Sequence, residues 1–161
     1  LDYIRDGAPV IGLRTFSKLY GLAGLRVGYG VARPEAIRLL GQPRSPFNVN
    51  LAGQIAATAA VDDDAFAEQS RRANADGLAQ LTAAFDRLGL PWVPSRANFV
   101  MLDSRRPCRA VFQKLLERGV IVRTGDIFGL STMLRVTIGT PEQNAVFLAA
   151  LEAVLAEVAP C

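Results

Sequence analysis

The chain contains no histidine. That excludes a Ser–His or Cys–His nucleophile pair within it and argues against a zinc site, since imidazole serves in both. Any acid–base chemistry must then come from lysine, tyrosine or a carboxylate. Cysteine is almost as scarce. Cys108 and Cys161 stand far apart, and two such residues are expected to be unpaired thiols of a reducing cytoplasm. No apolar run approaches the ~20 residues of a membrane helix, and no leader pattern opens the chain. Basic residues are scattered, and the net charge is only +3, so a nucleic-acid surface is not indicated despite a pI near 9.2. The expectation is a cytoplasmic protein with no metal and with neither nucleic acid nor membrane as partner.

What is present is ordinary globular material. Half of the residues are hydrophobic and a fifth charged, and 161 residues suffice for one sizeable core or parts of two small domains. The apolar run Ala8 to Leu13 reads as a buried strand, and Arg26 to Ala32 as another with glycines inside it. Pro34 to Gly41 is a short helix with proline in its first turn, and the prolines and asparagines of 42–50 mark a loop. Leu51 to Val61 predicts a buried apolar helix. Asp62, Asp63 and Asp64 suit the start of a long amphipathic helix reaching Leu88, where Gly77 marks a bend and Gly89 the end. The last third alternates short strands (Pro91–Val93, Asn98–Leu102, Val120–Arg123, Met133–Ile138) with helices at Pro107–Arg118 and Pro141–Val158. Thr140 is the expected N-cap of the second helix.

Two constellations carry chemistry. In Arg14-Thr-Phe-Ser-Lys-Leu-Tyr-Gly-Leu-Ala-Gly-Leu-Arg-Val-Gly-Tyr-Gly30 a lone lysine, Lys18, stands among hydroxyls and glycines, with Arg26 eight residues on. A desolvated lysine amine forms Schiff bases with carbonyls; Thr15, Ser17 and Arg26 supply the hydroxyls and planar charged fork that a phosphate needs. An aldehyde bearing a phosphate describes pyridoxal 5'-phosphate. The plainer alternative is a solvated loop lysine beside a surface arginine. The second constellation is a pair of arginines inside apolar strands, Arg123 and Arg135. Such residues face solvent, a carboxylate or a ligand anion.

The lysine stretch resembles that of the fold-type I, class I/II aminotransferases, and most of all the histidinol-phosphate aminotransferase branch. The resemblance implies that Lys18 carries pyridoxal 5'-phosphate as a Schiff base while Thr15, Ser17 and Arg26 hold its phosphate. Gly119-Val-Ile-Val-Arg123 and Leu134-Arg-Val-Thr-Ile-Gly-Thr-Pro-Glu-Gln-Asn144 resemble the C-terminal motifs of that branch, which implies that Arg123 and Arg135 grip the substrate phosphate. Arg44-Ser-Pro-Phe-Asn-Val-Asn50 is similar to a loop near the active site and subunit contact. Ser95-Arg-Ala-Asn-Phe99 also resembles the branch, without an assigned role. Thr124-Gly-Asp-Ile-Phe-Gly-Leu-Ser131 lacks the usual proline and tyrosine, which bears on substrate selectivity. Asp2 and Tyr3 are adjacent and are not identified with the family's Asp-Glu-Ala-Tyr segment.

The implied fold class is α/β, the C-terminal part of a fold-type I transferase. The end of the large cofactor domain (1–60) is followed by a bridging helix (61–88) and a small α+β domain (89–161). The implied reaction is transamination between histidinol phosphate and 2-oxoglutarate in histidine biosynthesis, by a full-length homodimer of which this chain is a part. The alternatives are an aromatic aminotransferase, a threonine-phosphate decarboxylase, and a truncated module that does no catalysis.

Overall fold

Short glycine-rich strands, capped helices and one long amphipathic helix are what the sequence pattern specifies. The computed structural model, which describes residues 1–161, arranges them as two units, Leu1–Ser70 and Arg71–Cys161. The first unit opens with a single helical turn, α1 (Asp2–Arg5). Strands β1 (Gly12–Thr15) and β2 (Gly28–Val31) then form an antiparallel ribbon, in register from Gly12 against Val31 to Thr15 against Gly28. Helices α2 (Pro34–Gly41) and α3 (Leu51–Val61) follow. The start of α4 (Asp64–Arg87) is fixed by Asp63, whose side chain accepts from the Phe66 N–H at 2.9 Å.

Three expectations are corrected in this unit. The first strand starts at Gly12, and Val10, Ile11 and Leu13 are exposed, because β1 has only β2 as a neighbour. The second strand starts at Gly28, since Arg26 has left-handed backbone at φ 57° and cannot join a ladder. Helix α3 buries only Gly53 and Ala57, while Leu51, Ile55 and Val61 are exposed. Its apolar composition exceeds what the unit's small core can cover. That core is Phe16, Val27 and Ala57, with Tyr20, Leu22, Leu25 and Val49 packed around it.

The second unit is built on a four-stranded antiparallel sheet, order β3 (Trp92–Val93), β4 (Phe99–Asp103), β6 (Met133–Thr137), β5 (Arg123–Thr124). Alternation along the central strands sends Val100, Leu102, Leu134 and Val136 into a core shared with α4, α5 (Cys108–Glu117) and α6 (Pro141–Glu157). The expected strand at 120–123 narrows to the pair Arg123–Thr124. Helices α4 and α5 each end on a left-handed glycine, Gly89 and Gly119. The following amides, Leu90 and Val120, bond back to Phe85 and Leu115, which satisfies carbonyls the helix leaves open.

Helix α6 is fixed at both ends. Thr140 and Gln143 form a reciprocal capping box, and the Arg106 guanidinium donates to the carbonyls of Leu155 (2.6 Å) and Val158 (2.7 Å). Gly77 does not interrupt α4, which is helical from Asp64 to Arg87. A Cβ there would lie 2.6 Å from Ile138 Cγ2, so the glycine admits the end of β6 against the helix. Buried Asn144 closes that corner, accepting from the Gly139 N–H and donating to Gln80 Oε1.

Candidate functional site

Between β1 and β2 the chain makes a loop that gathers polar groups at one end of the ribbon. Phe16 and Val27, the residues just past the paired ends, are buried against each other, and the Phe16 N–H bonds to the Val27 carbonyl at 3.1 Å. This pinch brings Thr15 and Ser17 to the same cleft as Arg26. The Thr15 hydroxyl donates to Ser17 Oγ at 2.9 Å and accepts the Ser17 N–H at 3.0 Å, a local turn that holds both hydroxyls together. At Gly28 a Cβ would fall 2.7 Å from the Arg14 carbonyl, so only glycine lets the two strands close here.

Arg26 is held in the left-handed region, at a cost of about 1–2 kcal/mol for a residue with a Cβ. Two contacts compensate. Its own Nη1 donates to the Ala23 carbonyl at 2.6 Å, and the Asn50 amide donates to the Leu25 carbonyl at 2.8 Å while its oxygen caps α3 at the Gly53 N–H. One edge of the guanidinium is therefore committed to the backbone, and the remaining donors of an exposed side chain line the cleft.

Lys18 corrects an expectation. It is exposed, not buried, and does not line the cleft that Thr15, Ser17 and Arg26 share. The reason is local: Lys18 opens a turn closed by the Gly21 N–H on its carbonyl, and that turn runs over the surface of the first unit. Thr15, Ser17 and Arg26 are brought together; Lys18 is adjacent in sequence but stands outside their cleft.

The other two predicted residues lie in the second unit, where β5 and β6 set Arg123 directly opposite Arg135. Both are exposed, on the sheet face opposite the core. Like charges in direct cross-strand register repel, and no carboxylate is bonded to either. What does touch Arg135 is aromatic: its guanidinium carbon lies 5.2 Å from the centroid of the Phe99 ring. The loop between the two strands is anchored by Asp126. Its carboxyl is held below the ordinary carboxylate range first by the Thr124 hydroxyl and then by the Arg109 guanidinium, 2.5 Å away. Ile127 and Phe128, next in the chain, are exposed.

Two contributors were not legible as such. Asn50 braces the residue before Arg26, and the only signal for it was an asparagine ahead of an apolar helix, an N-cap pattern. Phe99 lies in a motif that carried no role, and its partner is visible only once the strand register is known.

This arrangement can bind anions at two places, with hydroxyls and a fork at one and paired guanidiniums at the other. Comparison with known proteins identifies the family. Residues 2–151 match the family described as aminotransferase class I and II. A histidinol-phosphate aminotransferase of Moorella thermoacetica is 59% identical over 97% of this chain and 41% of its own length. One from Symbiobacterium thermophilum is 52% identical over 96% of this chain and 43% of its own. In three dimensions, a crystal structure of histidinol-phosphate aminotransferase from Sinorhizobium meliloti with pyridoxal-5'-phosphate superposes with a TM-score of 0.86 at 29% identity. It covers 94% of this chain and 42% of that one. The chain thus spans about two fifths of the length of the curated relatives it matches. A match that takes in nearly every residue, together with the shared fold, leaves no ambiguity: the chain belongs to the class I and II aminotransferase family.

Proposed function

We propose that this chain is the lysine-bearing and C-terminal portion of a pyridoxal-5'-phosphate-dependent histidinol-phosphate aminotransferase. The observation that carries the reading is the convergence of Thr15, Ser17 and Arg26 on one cleft, with Lys18 next to Ser17 in the chain. The donor set fits the cofactor: two hydroxyls and a guanidinium match a phosphate dianion, and the lysine amine matches an aldehyde carbon. Residues 1–60 are then the end of the cofactor domain, 61–88 the bridging helix and 89–161 the small domain. 2-Oxoglutarate as acceptor, a homodimer and a cytoplasmic setting come with the reading from family resemblance alone.

The residues take these roles. Thr15 and Ser17 would donate hydroxyl hydrogens to phosphate oxygens, Thr15 giving up its bond to Ser17 Oγ to do so, and Arg26 would present the guanidinium edge that Ala23 leaves free. Its strained backbone is retained because it aims that edge at the cleft. Lys18 would hold the cofactor through Nζ, and the same atom would carry away, as general base and then acid, the proton taken from the substrate α-carbon. When bound, the cofactor supplies an electron sink for that carbon. Arg123 and Arg135 grip the substrate anion, which relieves their mutual repulsion. Because Lys18 is exposed here, its desolvation falls to the part of the full-length protein outside this chain.

The test is a spectral titration with pyridoxal 5'-phosphate. The full-length gene product is expected to develop a near-visible absorption band that Lys18→Ala abolishes, whereas the 161-residue chain binds weakly and turns over negligibly. A band retained in the alanine variant would falsify the role of Lys18. Comparing amino donors with and without a phosphate then separates this enzyme from an aromatic aminotransferase.

A further inference from the structure

The face of the second sheet that carries Arg123 and Arg135 is unusual in what it sets beneath a charge. Strand alternation places Phe99 and Met101 of β4 on the same face as Arg135 of β6, with Met101 in direct register with Arg135 and Phe99 one step along the diagonal. Diagonal neighbours are within reach of long side chains, and here the guanidinium lies over the Phe99 ring at 5.2 Å. Arg135 is bonded to no carboxylate, and its opposite neighbour is another cation. The ring is therefore the one attractive partner that defines where this charge sits.

Phe99 itself is held. The Ser95 hydroxyl donates to the Phe99 carbonyl at 2.6 Å and accepts the Ala97 N–H at 3.0 Å, and the Asn98 carbonyl accepts the Ile138 N–H at 3.0 Å. The Ser95–Phe99 motif is thus a turn that fixes the start of β4, and with it the ring. A guanidinium resting on a ring face keeps its N–H edges free, which is what bidentate binding of an anion requires. An arginine with no such support must lose its rotamer freedom at the moment of binding.

We infer that Phe99 is a positioning residue: its ring preorganises the Arg135 guanidinium for the substrate anion. This rests on the reading of Arg135 as an anion-binding group, so the experiment separates the two. In the 161-residue chain, the Arg135 Nε–H resonance of the wild type is expected to be shifted upfield by the ring, to return to its ordinary position in Phe99→Leu, and to stay shifted in Phe99→Tyr. In the full-length gene product, Phe99→Leu is expected to raise KM for the phosphate-bearing donor about threefold with kcat changed little, and Phe99→Tyr to restore it. A change of that size is what a cation–π contact at an exposed arginine is worth. An unshifted wild-type resonance, or a tyrosine variant as impaired as leucine, would overturn the inference and leave the ring as sheet packing. An Arg135→Lys enzyme with unchanged KM would instead remove the anion-binding reading, while the resonance alone still decides whether Phe99 orients Arg135.

Discussion

In the second unit, fourteen buried apolar side chains, from three helices, the two central strands and the segments leading into the other two, form one core; in the first, three do. Yet the first unit holds the longest stretch of recognisable chemistry, and exposes Leu1, Tyr3, Leu13, Tyr29, Phe47, Leu51 and Ile55 besides. The difference teaches that a functional motif and a hydrophobic core are separate products of a sequence. The loop from Thr15 to Gly28 is shaped by short-range devices: the paired hydroxyls, the Phe16–Val27 pinch and the Asn50 brace. None of these needs a large buried area. The sheet and helices of the second unit are held by burial, at about 25 cal/mol per Å² of apolar surface removed from water.

The largest expected effect follows directly. Leu134 is fully buried in β6, and Leu134→Ala should cost the second unit about 2–5 kcal/mol, the range for leucine truncation in a close-packed core. Val27→Ala in the first unit should cost only about 1–2 kcal/mol, at ~0.8 kcal/mol per buried methylene. The chain offers a separate reporter for each unit, since its single tryptophan is Trp92 and its three tyrosines are Tyr3, Tyr20 and Tyr29. Denaturation followed by tryptophan emission should shift strongly in the first variant and hardly at all in the second. Coincident shifts at both reporters in both variants would show one cooperative body and end the contrast.

A second test, of intermediate size, concerns how ends are held. Arg106 in the second unit donates to the carbonyls of Ser104, Leu155 and Val158, tying the chain after β4 to the end of α6. Arg106→Ala should cost about 2–3 kcal/mol, because bonds from a charged donor are worth more than neutral ones and the carbonyls are left open. In the first unit Arg33 donates once, to the Gly7 carbonyl at 3.1 Å from an exposed position, and Arg33→Ala should stay within about 0.5 kcal/mol. Urea midpoints of the two variants measure this, and a comparable loss in both would contradict it.

Legibility in the sequence followed the same division. Helices with local signals were readable: Thr140 and Pro141 start α6, and Gly89 and Gly119 stop α4 and α5, because caps act within one turn. Burial in the first unit was not. The alanine-rich run of α3 states that a helix could be covered, and composition says nothing about whether a neighbour covers it. Arg26 reads as strand because no local pattern signals a positive φ at a residue with a side chain, and only the surrounding bonds explain why it stays there. Thr15, Ser17 and Arg26 were identified from residue types and resemblance, and their shared cleft required the Phe16–Val27 pinch. The Phe99–Arg135 stack needed the strand register, which no local pattern reveals.

The smallest expected effect is a pH dependence in the second unit. Asp126 anchors the loop between the strands bearing Arg123 and Arg135, with its pKa lowered from 3.8 by the Thr124 hydroxyl and then by Arg109. A carboxylate whose folded pKa is depressed contributes stability that is fully present above its unfolded value and is lost as pH falls through the folded one. The tryptophan-detected melting temperature of the native chain should therefore decline as the pH is taken below about 4, with Asp126 contributing to the slope. Asp126→Asn should be slightly less stable than the native chain at pH 7, and the two curves should converge in acid. The tyrosine-detected transition of the first unit, to which Asp126 does not belong, should show the same profile in both proteins. Parallel tryptophan curves from pH 7 down to 2 would mean that the Arg109–Asp126 contact, exposed on its arginine side, adds nothing to the hold on this loop.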